Sequence, residues 1–97
     1  MTGGEAPLTL GDFAGLAGQA VTVETPAGPV DLTLAEAQPL ADSPREAGAF
    51  RLEFEGPLQP ELEQGIYAFR LARGSTEIFI VPVARTAEAM RYEAIFF

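Results

Sequence analysis

Cysteine, histidine and lysine are all missing from this chain of 97 residues. Without cysteine there is no disulfide framework, and nothing in the composition speaks to a redox compartment. Without cysteine or histidine there is no Cys-His or Ser-His nucleophile pair and no conventional zinc or transition-metal set. Without lysine, all six cations are arginines, spread along the chain at 45, 51, 70, 73, 85 and 91. They face fourteen carboxylates, for a formal net charge of −8. Nucleic acid is excluded as a partner, because neutralising phosphates takes clustered cations. The acidity itself is first of all a solubility feature. No apolar run reaches the ~20 residues that a membrane-spanning helix requires, so no membrane role is expected. The opening MTGGEAPLTL lacks a basic segment followed by an apolar one. No export signal is therefore read, and the expected location is the cytoplasm or an assembled particle.

Absence extends to motifs. No glycine-rich strand-to-helix turn of the phosphate-binding kind occurs, and no Asp-rich loop resembles a calcium-binding helix–loop–helix. Strands and helices do not alternate, which excludes a parallel-stranded enzyme fold. No internal repeat is visible. No cofactor is expected.

What is present is a globular composition, with 47% hydrophobic residues and eight prolines. The length suits one domain, read as a flexible 1–7 followed by a single β domain over 8–97. In LTLGDFAGLAG, Thr9 is placed as an N-cap with Asp12 three residues on. Leu10, Phe13 and Leu16 recur at helical spacing and Gly18 serves as a stop, so a short helix is predicted over 10–17. Gly11 and Gly15 weaken it, and packing must hold it in place.

Beyond Gly18 the period falls to two. AVTVE and VDLTLAEA, joined by TPAGP, predict a hairpin over 20–36. AFRLEFE sets Phe50, Leu52 and Phe54 against Arg51, Glu53 and Glu55. GIYAFRLA sets Tyr67, Phe69 and Leu71 against Ala68 and Arg70. These two apolar sets are expected to form the central core across neighbouring strands. EIFIVPV and MRYEAIFF complete six short strands, predicting an all-β fold: a six-stranded antiparallel sandwich or small barrel with one short N-terminal helix.

Two segments carry functional expectations. GPLQPELEQG, at 56–65, is stiffened by Pro57 and Pro60, and the spacing of Leu58 and Leu62 predicts a single helical turn. It reads as a lid over one end of the barrel, with Glu61 and Glu63 pointing outward. Glu53 with Glu55, or Glu61 with Glu63, are the only paired carboxylates considered for acid–base work or weak calcium binding. The ordinary expectation is a solvated rim in which Arg51, Arg70 and Arg91 meet carboxylates across strands. No catalytic, cofactor-binding or metal-binding residue is assigned.

The other segment pair is apolar on both faces. Phe79, Val81, Ile95 and Phe97 fall on what should be the outer face, more than one short helix covers. They form the candidate interface, for self-association or a protein partner. The competing expectation is that Leu10, Phe13 and Leu16 bury this face within one molecule. Pro82 belongs at an edge or a bulge. The terminal strand is expected at a sheet edge open to pairing.

The motifs LTLGDF (8–13), FRLEFEGP (50–57), QGIY (64–67), FIVP (79–82) and YEAIF (92–96) occur in an order that spans nearly the whole chain. Through them the chain resembles an uncharacterised bacterial domain-of-unknown-function family with L-T-L-x-D-F, F-x-L-x-F-x-G-P, Q-G-x-Y, F-x-V-P and Y-E-A-x-F. The resemblance implies no activity and no catalytic residues. It implies a genetic setting beside phage-tail-collar-like fibre proteins. The expected function is thus a non-enzymatic structural or accessory protein of a larger assembly, phage-tail-like or fibre-related. The alternative is a small-ligand or cation-binding β module using the loop at 56–65.

Overall fold

Six antiparallel strands close into one barrel in the computed structural model, which describes residues 8–40 and 49–96. In chain order they are β1 (Ala20–Thr25), β2 (Gly28–Leu40), β3 (Ala49–Gly56), β4 (Gly65–Leu71), β5 (Gly74–Arg85) and β6 (Met90–Phe96), preceded by α1 (Gly11–Ala14). Around the barrel the order is β1-β2-β3-β6-β5-β4. Of the two expected all-β architectures, the barrel is the one found. The expectations for residues 1–7 and for Phe97 lie outside the described residues.

The alternation that defines each strand becomes the inside and outside of the barrel wall. Val21, Val23, Leu32, Leu34, Leu52, Phe54, Phe69, Ile78, Ile80 and Tyr92 all point inward and are buried. The interior is filled by side chains rather than left hollow. Gly56 is needed for that filling, because a Cβ there would lie 2.5 Å from Leu32 Cδ2 and 3.3 Å from the Tyr92 ring.

The two aromatic sets expected on neighbouring strands face each other from different parts of the wall. β3 pairs with β2 and β6, whereas β4 pairs with β1 and β5. Phe54 and Phe69 meet through the interior, with ring centroids 5.2 Å apart. Tyr67 and Leu71 are only half-buried.

The helix is shorter than its periodicity promised. Asp12 reaches back so that the Thr9 amide donates to its Oδ2 at 2.8 Å, as in half of a capping box. Thr9 does not return the bond with its hydroxyl; its carbonyl accepts from the Asp12 amide instead. Leu10 takes the N-cap position, and the helical conformation lasts one turn before Gly15. Such a fragment survives only because Phe13 is buried.

β2 and β5 run longer than predicted, each with an irregularity that lets it bend around the barrel. β2 has a bulge between Leu34 and Glu36. β5 has one between Pro82 and Ala84, which accommodates the proline without an open edge. The terminal strand β6 is no edge either, since it is paired on both sides.

Candidate interaction surface

Backbone register lines the outward side chains into rows that cross several strands. Ile66 on β4 lies opposite Phe79 on β5, and Ile95 on β6 lies opposite Arg51 on β3. Val81, two residues on from Phe79 and on the same outer face of β5, lies opposite Glu93 of β6. Ile66 and Phe79 form an apolar pair across β4 and β5, and Ile95 faces outward on β6. Ile66, Phe79 and Ile95 are 64%, 50% and 43% exposed, and Val83 beyond the bulge is 49% exposed.

Of the four candidate interface residues, Phe79 and Ile95 are exposed on this face. Val81 shares it but is half-buried beside Glu93. Phe97 lies outside the described residues. Ile66 was missed by the sequence reading, although it shares its outward parity with Ala68 and Arg70, which that reading did place outside.

α1 does not cover this face. Phe13 packs instead against Phe50 and Phe96 at one end of the barrel, with ring centroids 5.9 and 6.2 Å away. The expectation that Leu10, Phe13 and Leu16 bury the outer face is thereby corrected. The physical reason is room: the barrel mouth offers an apolar funnel, and a single turn of helix fits it better than a flat wall.

The neighbouring wall is built of charge. Glu36, Glu53 and Glu93 fall opposite one another in a single row across β2, β3 and β6. Like charges so placed repel. Arg51 separates two of them, with Nη2 at 3.0 Å from Glu53 and Nε at 2.7 Å from Glu93. Arg91 comes from the other side, 3.0 Å from Glu53 and 3.3 Å from Glu55. The hydrogen bond to Glu93, then that to Glu53, raises the Arg51 pKa above its ordinary value. Arg70 pairs with Glu24 across the β4–β1 seam. The expectation that Arg51, Arg70 and Arg91 meet carboxylates across strands describes the wall as found.

The loop at 56–65 closes the end of the barrel opposite α1. Leu62 is buried, and its amide donates to the Tyr92 hydroxyl at 2.9 Å. The Tyr67 hydroxyl donates to the Glu63 carbonyl at 2.6 Å. No helical turn forms, and Leu58 stays half-exposed. The segment bends at 58–60 instead of winding into a helical turn, and of the two leucines only Leu62 reaches the core. Glu61 is paired with Arg85 at 3.1 Å. A depression of about 180 Å³ lies between this loop and the β1–β2 turn, lined by Thr25, Pro60, Glu63 and Tyr67 among others. A second, of about 350 Å³, lies between α1 and the β2 bulge. Among the described residues, no group of three or more acidic side chains converges as a metal site would need. Among them, too, no helix is long and apolar enough to cross a membrane.

No curated protein and no solved structure matches the chain. One family model does, over residues 8–96, which is nearly the whole length and every described element. The chain therefore belongs to the family described as a domain of unknown function, DUF6916.

Proposed function

We propose that this domain is a non-enzymatic structural or accessory protein that docks onto a protein partner through the outer wall of β4, β5 and β6. The observation that carries the reading is the exposed apolar surface of Ile66 and Phe79, paired across β4 and β5, with Ile95 exposed on β6. Contiguous exposed apolar surface is the usual mark of an interface. The filled interior supports the same reading, because a barrel without a hollow offers a small molecule only its rims. The larger assembly is of the phage-tail or fibre kind, in keeping with the motifs at 8–13, 50–57, 64–67, 79–82 and 92–96. It resides in the cytoplasm or within the particle.

The alternative, a ligand- or cation-binding module at 56–65, is the less favoured reading. Leu62 and the Glu63 carbonyl are committed to closing the barrel, and Glu61 to Arg85.

A photo-crosslinking amino acid at position 79 tests the docking reading in cells, with position 31 on the far wall as control. Discrete protein adducts are expected at 79 and not at 31. Equal labelling at both positions, or none at either, overturns it.

A further inference from the structure

The partner's chemistry can be taken further, on the basis of the docking reading above. We infer that the surface received by the β4–β6 wall carries lysine or arginine beside its own apolar side chains, and is not a second copy of this chain.

Charge supply on this chain limits what its partner can be. The chain has no lysine and no histidine. Five of its six arginines are described, and each is paired with a carboxylate of the same molecule: Arg51, Arg70, Arg73, Arg85 and Arg91. The sixth, Arg45, lies outside the described residues. The apolar outer face of β5 has carboxylates on both sides, Glu77 before Phe79 and Glu93 opposite Val81. Glu77, two residues before Phe79 on the same outward face, is exposed and meets no cation among the described residues. On the other side, Arg51 and Arg91 are shared among Glu53, Glu55 and Glu93, with Glu36 opposite Glu53, which leaves that flank negative.

A second copy would set one acidic flank against another. To offer a cation in return, it would have to break an ion pair that holds its own wall together. Facing like charges disfavour a complex, whereas opposite charges at a rim speed encounter and fix register. A partner with apolar side chains rimmed by cations answers both parts of the surface: the apolar face is covered and Glu77 is paired.

Three strand-length peptides serve as probes against the full chain: alternating valine and lysine, valine and glutamate, and serine and lysine. Amide chemical shifts report the site, and sedimentation velocity reports self-association. The expected result is a monomer in which only the valine–lysine peptide shifts the amides of Ile66, Phe79 and Ile95. Its affinity falls several-fold in Glu77→Gln or at raised salt, and binding is lost in Phe79→Ser. A wild-type dimer that Phe79→Ser makes monomeric would leave docking standing and sink the cationic partner. Equal binding of the valine–glutamate peptide would do the same. If the serine–lysine peptide binds as well as the valine–lysine one, attraction is to acidity alone and the partner inference falls. A monomer whose wall none of the peptides touches would remove both readings.

Discussion

The two ends of the barrel are closed by different physics. At the α1 end, closure is a stack of rings: Phe50 and Phe96 lie 4.4 Å apart and nearly parallel, with Phe13 tilted over both. Its polar ties to the barrel include the long ion pair of Asp12 with Arg73, at 3.4 Å, and backbone bonds of Gly18 and Gln19 with Leu34 of β2. At the other end, closure depends on directed bonds between the loop backbone and two tyrosine hydroxyls, Tyr92 accepting from the Leu62 amide and Tyr67 donating to the Glu63 carbonyl. Apolar area is indifferent to small shifts in angle, so a single helical turn is enough to plug one mouth. A loop with two prolines must be held at particular atoms, because it has few amide donors to spend. One end is sealed by area and the other by position.

Truncation should expose that contrast most strongly at the plug. Phe13→Ala is expected to cost about 3–5 kcal/mol in denaturant unfolding, the usual range for an aromatic removed from a packed core. Leu62→Ala, at the lid, should cost about 2–4 kcal/mol by the same measure. If Phe13→Ala costs under about 1 kcal/mol, the ring stack does not close the barrel.

A smaller change separates area from direction. Tyr92→Phe keeps the ring and deletes the acceptor of the Leu62 amide, which is expected to cost about 1–3 kcal/mol. At the plug, by contrast, the contact among Phe13, Phe50 and Phe96 is one of rings. The same tyrosine gives the lid a pH dependence. Burial raises the Tyr92 pKa above the ordinary phenol value of 10.0, against the opposing pull of the Leu62 amide. The folded state thus holds its proton after the unfolded chain has released it. Stability should be unaffected by this group below pH 10.0 and should fall as pH rises from there through the folded value. Tyr92→Phe should remove that alkaline slope; a slope that persists unchanged assigns it to another group.

The smallest expected effect lies on the lid's rim. Replacing Glu61 and Glu63 together with Gln should change stability by only a few tenths of a kcal/mol, since the Glu61–Arg85 pair is exposed. A calorimetric calcium titration that released heat with the wild type and none with this double variant would revive the cation-binding alternative.

How much of this was legible beforehand follows from what period-two alternation encodes. It records which side of a strand each residue faces, and it did so correctly for Phe50, Leu52 and Phe54 within and for Phe79 and Ile95 without. It does not record which strand comes next. That is why β3 and β4 were expected as neighbours when they lie in different halves of the wall. The apolar spacing of Leu10, Phe13 and Leu16 announced a packed helix but not its destination, which depends on the shape of a mouth that exists only once the barrel has closed. Leu58 and Leu62 had helical spacing, yet two prolines decided the backbone. Ile66 went unnoticed because a lone apolar residue among outward positions means little until register sets it against Phe79.

The strand order also has a consequence for how the chain comes together in time. β1–β2–β3 and β4–β5–β6 are two meanders, each made of neighbours in sequence, and the lid is the thread between them. They meet at two seams of unequal size. β3 and β6 share seven opposed residue pairs, while β1 and β4 share two, Val23 with Phe69 and Glu24 with Ala68. Local pairings form early and distant ones late, because long loops must close before distant contacts repay them. The meanders should therefore assemble first and zip along β3–β6, leaving β1–β4 as the last seam to shut. In the finished protein that same short seam is the natural place for the cylinder to breathe, opening there while both meanders stay whole.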